Sequence, residues 1–133
     1  MKNKAIVGAA VVVAVFLIGF LPQYMKANRL ESELQQARRD VAGAELRDLA
    51  GLAYLQANQK NFGLAAETAS RFFSRAREVA AQRQDEAGRK AIEDLLAVRD
   101  KVTAELAKGD PAAVNDLQDL VLKTRQATAA PAP

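Results

Sequence analysis

Hydrophobic and polar positions divide this chain into two regimes. Residues 5–21, AIVGAAVVVAVFLIGFL, contain no charged or polar side chain. As a helix such a run spans roughly 25 Å, the short end of what crosses a bilayer. The pattern predicts a transmembrane helix over 5–21, preceded by a basic tail, 1–4, that carries Lys2 and Lys4. Beyond Pro22 no comparable run occurs, and apolar residues return at three- and four-residue spacing. Ala27, Leu34 and Val41 occupy heptad position a, and Leu30, Ala37 and Ala44 occupy d, until Asp48 and Gly51 take the next two places. Segment 22–45 therefore predicts a helical stalk, with Pro22 ending or kinking the helix before it. Its stripe suits either a short coiled coil between chains or an amphipathic helix packed on its own domain. The early loss of register and the abundance of alanine favour the second.

From Leu46 the stripe moves to Leu49, Ala50, Ala53 and Ala57, then breaks over 58–61, where Asn61 is placed to cap the next helix. That helix, 62–83, carries Ala65, Ala69, Phe72, Ala76, Val79 and Ala80 on one side. Residues 84–88 form a polar break or a join. Ala91, Leu95, Val98, Val102 and Leu106 then predict a single helix that closes at Lys108-Gly109-Asp110-Pro111. In that tetrapeptide the glycine supplies a left-handed C-cap, the aspartate caps the following helix, and the proline starts it. The last helix, 111–127, uses Val114, Leu117, Val121 and Thr124, and 128–133 reads as a disordered Ala/Pro tail. The expected fold is all-α: a transmembrane helix, an amphipathic or coiled-coil stalk, and a domain over 46–127. That domain comprises two antiparallel helical hairpins, packed as a bundle or a short solenoid.

Leu52 and Ala53, the Asn61-Phe62 turn and Ala65 give residues 46–80 a pattern that resembles one tetratricopeptide-type helical hairpin. Gln56 stands where that pattern has an aromatic residue, Ala69 where it has a large one, and Phe72 where it has alanine. The resemblance implies a protein-binding groove rather than catalysis.

Composition narrows the chemistry. The chain has no Cys and no His. This excludes disulfides, a lipidated-cysteine anchor, Ser/His/Asp and Cys/His catalysis, and the usual zinc ligands. The seven glycines form no phosphate-binding loop. The carboxylate pairs Glu31/Glu33, Asp85/Glu86, Glu93/Asp94 and Asp116/Asp119 read as solvated surface. No catalytic residue, metal, cofactor or small-molecule substrate is expected. The net charge is +3, and Lys2 and Lys4 supply two of those charges. The domain itself is close to neutral, and nucleic acid is not an expected partner.

A secretory signal shares the basic-then-apolar pattern, but cleavage needs small residues at the first and third places before the cut. A cut after Ala27 puts Met25 in the third place, and a cut after Gly19 puts Leu17 there. An uncleaved signal anchor is the reading. Lys2, Lys4, Tyr24 and Lys26 fall where membrane-interface residues belong. The two-lysine tail predicts a cytoplasmic N-terminus in a bacterial inner or plasma membrane, with the domain on the non-cytoplasmic, periplasmic side. Within the domain, 71–83 is the most basic stretch. Arg71, Arg75 and Arg77, with Phe73 exposed beside Arg77, form the candidate surface for a protein partner or anionic lipid. The sequence thus predicts a non-enzymatic, single-pass scaffold or adaptor. The alternative is a structural coiled-coil subunit of an oligomeric envelope assembly.

Overall fold

A computed structural model describes residues 2–129. It contains five α-helices and, among the described residues, no strand: α1 Lys2–Asn58, α2 Phe62–Gln82, α3 Glu86–Leu96, α4 Arg99–Lys108 and α5 Ala112–Ala127. The all-α class matches the sequence pattern. The chain divides into two units, Met1–Arg39 and Asp40–Pro133.

Among the described residues, the first unit is the N-terminal part of α1, from residue 2 to residue 39. Pro22 lies inside the helix rather than at its end. An interior proline forfeits one backbone hydrogen bond and costs about 3 kcal/mol, and the helix continues regardless. The neighbouring residues explain why: the segment after it, MKANRLESELQQARR, is rich in Leu, Glu, Gln, Ala and Arg, all strong helix formers. The anchor, the stalk and the first domain helix anticipated from sequence are therefore one continuous element. Residues 5–21 are exposed throughout, and Phe16 stacks on Phe20 one turn away with ring centroids 5.7 Å apart. The stalk stripe is exposed as well. Within this unit Leu30 is 66% and Leu34 52% exposed.

The second unit packs the end of α1 with α2, α3, α4 and α5 around Leu46, Phe72, Ile92, Val102, Leu117 and Leu120. Many of the buried residues of α1 and α2 are small: Ala50, Ala53 and Ala57 from one helix, Ala65, Ala69 and Ala76, beside Phe72, from the other. Small side chains allow close helix approach without voids. On its other flank α2 packs on α3 and α4, and α5 packs on α3 and α4. Arg75 reaches back to Glu45 at 2.8 Å, and the two residues are equidistant in sequence from Lys60 in the connecting turn.

Local chemistry sets the breaks. Lys60 adopts a left-handed φ of 61°, with its N–H donating to Ala57 O and the Asn61 N–H to Gln56 O, both at 2.9 Å. This pair of bonds is the Schellman ending, here with lysine where glycine is usual. Asn61 occupies the N-cap position of α2, but its side chain makes no capping bond. Asp85 does cap α3, its Oδ2 accepting from the Gly88 N–H at 2.8 Å. Gly109 takes the predicted left-handed conformation, φ 64°, at the end of α4. Asp110 Oδ1 accepts from the Ala112 N–H at 2.9 Å, so α5 begins just beyond Pro111.

Two further features differ from the sequence reading. The helix expected through Val98 is bent there: the Ala97 N–H bonds Asp94 O, three residues back, at 3.4 Å, and Val98 sits at φ −90°, ψ −2°. The bend keeps Ile92 and Leu95 of α3 and Val102 and Leu106 of α4 all in the core. At the C-terminal end, Thr128, assigned to the tail, is half-buried and tied down. Arg47 Nη1 donates to Thr128 Oγ1 at 2.8 Å and to its carbonyl at 3.3 Å, and Thr128 Oγ1 donates to Thr124 O at 2.7 Å. Gly43 makes room for this, since a Cβ there would lie 3.1 Å from Thr128 Cβ. Ala129 is exposed, and the rest of the anticipated tail, 130–133, lies outside the described residues.

Candidate partner-binding surface

On α2, Arg71, Ser74, Arg75 and Glu78 recur at three- and four-residue spacing and so share one helix face. With Ser70, and with Glu45 and Leu49 of α1, they line a shallow depression of about 290 Å³. Arg75 closes one side. Its Nε lies 2.8 Å from Glu45 Oε2 and its Nη1 2.9 Å from Glu78 Oε2. Hydrogen bonds to Glu78 and then Glu45 push the guanidinium pKa above its ordinary value, so it stays charged but is locally neutralised. Arg71 is exposed and forms no ion pair among the described residues. The depression is lined by two guanidiniums and two carboxylates and so carries no net charge; it offers Arg71, two serine hydroxyls and a half-buried leucine floor, a surface suited to a polar group on a partner.

The four residues singled out by sequence do not form one patch. Arg71 and Arg75 line the depression. Arg77 is exposed but lies off this face of α2. Phe73 is 2% exposed and meets Phe72 edge-to-face, with centroids 5.2 Å apart and planes at 80°, so it belongs to the core and not to a contact surface. The reason is geometric. Adjacent residues on a helix point about 100° apart, and α2 is covered by α1 in one direction and by α3 and α4 in another, so both rings find cover. The proposed interface residues Lys2, Lys4, Tyr24 and Lys26 are all exposed on α1.

A second polar cluster escaped the sequence reading. Lys101 Nζ of α4 lies 2.7 Å from Asp116 Oδ2 of α5 and 3.7 Å from Glu105 Oε1. The lysine holds the Asp116 carboxyl below its ordinary pKa, and the adjacent Asp116 carboxyl pushes Glu105 above its own. Lys101 and Glu105 are visible in sequence as a helical i,i+4 pair, whereas Asp116 comes from the next helix and carries no such signal. Among the described residues no cluster of acids suits a metal ion.

One described helix, α1, is long and apolar enough to cross a membrane. No protein-family model, curated protein or solved structure matches this chain.

Proposed function

We propose that this chain is a non-enzymatic, single-pass membrane-anchored scaffold that presents a helical domain to a protein partner close to the bilayer. One observation carries the reading: the apolar run 5–21 of α1 is exposed along its whole length, whereas the unit Asp40–Pro133 buries its own core. Each Val, Leu, Ile or Phe left in water forgoes about 1.5–3 kcal/mol, so such a run calls for a lipid environment. In this reading 5–21 spans the membrane, and Lys2 and Lys4 stay on the cytoplasmic side. Tyr24 and Lys26 lie at the opposite interface, and the domain is periplasmic. The domain comprises two antiparallel hairpins, the first similar to a tetratricopeptide hairpin, and the Arg71 depression on α2 is its contact for a polar partner segment.

A reporter fused after Pro133 tests the placement in a Gram-negative host. Alkaline phosphatase there is expected to be active, and a green fluorescent protein fusion dark. The opposite pair of results overturns the periplasmic placement.

A further inference from the structure

Among the described residues, the heptad positions of α1 carry an exposed apolar face. In the unit Met1–Arg39, Leu30 and Leu34 at d and a are exposed, as are Ala27 and Ala37 beside them. In the unit Asp40–Pro133, Val41 at a is 67% exposed, while Ala42, Leu46 and Ala50 on the other side of the helix are buried in the core. Helical spacing returns Leu52 and Leu55, 43% and 48% exposed, to the Val41 side after a four-residue stutter past Asp48. The stripe is flanked by charges. Lys26 and Glu33 occupy g; Glu31 and Arg38 occupy e. All four are exposed, and none forms an ion pair among the described residues. Glu45, at the next e, is already held by Arg75 of its own chain.

We infer that this face is covered by a second copy of the chain, in a parallel, in-register coiled coil over residues 26–44. In that arrangement each g residue faces the e residue five places on in the other chain. Lys26 then meets Glu31, and Glu33 meets Arg38, all unlike charges, and two-fold symmetry makes each pair twice. Antiparallel pairing over the same layers places g against g and e against e, so the repulsion of Glu33 and Asp40 offsets the attraction of Glu31 and Arg38, while Lys26 falls opposite Arg47, which is held by Thr128 of its own chain. Charge pattern therefore selects orientation as well as partner. Asp40 and Glu45 would be the next parallel pair, and they mark the end of the seam. There Ala42, Gly43 and Leu46 pack into the chain's own core, and Arg75 offsets the Glu45 charge.

The absence of Cys makes the test direct. Single cysteines are placed in the full-length protein at the seam, as Ala27→Cys and Ala37→Cys, and at the outer position f, as Ser32→Cys and Arg39→Cys. Each is purified in detergent micelles and mildly oxidised. The seam variants are expected to form disulfide-linked dimers, and the outer variants to lose nearly all of that yield. Glu33→Lys added to Ala37→Cys is expected to abolish the cross-link, and Glu33→Lys with Arg38→Glu to restore it. Equal yields at seam and outer positions overturn the inference. So does failure of the double exchange to restore linkage, or linkage of Leu34→Cys to Ala37→Cys in a mixture in place of Ala37→Cys to itself. Carbonate extraction of native membranes keeps this separate from the anchor. An unlinked chain in the pellet overturns the pairing alone, and a linked dimer in the supernatant overturns the anchor alone.

Discussion

Phe73→Ala distinguishes a core residue from a contact residue. Phe73 is 2% exposed and packs edge-to-face on Phe72, which is itself fully buried. Truncating a buried phenylalanine costs about 3–5 kcal/mol, and the lost aromatic pair accounts for roughly 0.5–1.5 kcal/mol of such interactions. Domains of this size have total stabilities of about 5–15 kcal/mol, and each kcal/mol moves Tm by roughly 4–8 °C. Phe73→Ala is therefore expected to lower the Tm of the domain by at least about 12 °C. The assay is thermal unfolding of the full-length protein in micelles, followed by circular dichroism at the helical minimum. Arg77→Ala, four residues along on an exposed position, is the control, with an expected effect within about 0.5 kcal/mol. If Phe73→Ala costs less than about 1 kcal/mol, the ring is not in the core and the packing of α2 described here is wrong.

Further predictions follow from single contacts. Lys60→Gly relieves a left-handed residue at the end of α1 and should stabilise the domain by about 1 kcal/mol, read as a higher urea midpoint. A lower midpoint contradicts the Schellman ending. Arg47→Ala removes a charged donor to Thr128 and should cost roughly 1.5–3 kcal/mol, with faster amide exchange at the end of α5. Unchanged exchange there shows that Thr128 is not held. At the Lys101 cluster the pH signs are opposite. Asp116 has a lowered folded pKa, so its contribution is present above the unfolded carboxylate range and lost as pH falls. Glu105 has a raised folded pKa, so its contribution is present below that range and lost as pH rises. Asp116→Asn should therefore lower Tm at neutral pH, and Glu105→Gln should raise it, with both differences vanishing in acid. Shifts of the same sign at neutral pH contradict the arrangement.

What could be read from sequence had a local cause. Gly109 announces its left-handed turn because glycine alone takes it without strain, and Asp110 announces a cap because its carboxylate reaches the next helix's N–H. The all-α class and most of the buried stripe, including Ala65, Phe72 and Leu117, followed from periodicity. What could not be read depended on remote partners or on sums. Pro22 marks a break by local rule, yet a penalty of about 3 kcal/mol does not end a helix whose following segment is rich in strong helix formers. Ala97 and Val98 bend the chain without glycine or proline, because two short helices must both face one core. The burial of Phe73 required knowing that α3 and α4 cover the second side of α2. Periodicity found two apolar faces on α1 but could not say which one the domain uses. The structure assigns Ala42, Leu46 and Ala50 to the core and leaves Val41 exposed. The candidate surface was legible only as a charge excess. Its division into a neutralised Arg75, an exposed Arg71 and a separate Arg77 depends on Glu45, which lies in another helix.

The most direct test of the membrane-anchored scaffold is cysteine accessibility along α1 in intact cells, using single-cysteine variants of the full-length protein and a membrane-impermeant maleimide admitted to the periplasm. The account predicts that Ser32→Cys labels from the periplasm, that Val13→Cys does not label until detergent is added, and that Lys4→Cys labels only after the inner membrane is opened. Labelling of Val13→Cys at the same rate as Ser32→Cys would show that 5–21 is in water and would contradict the anchor.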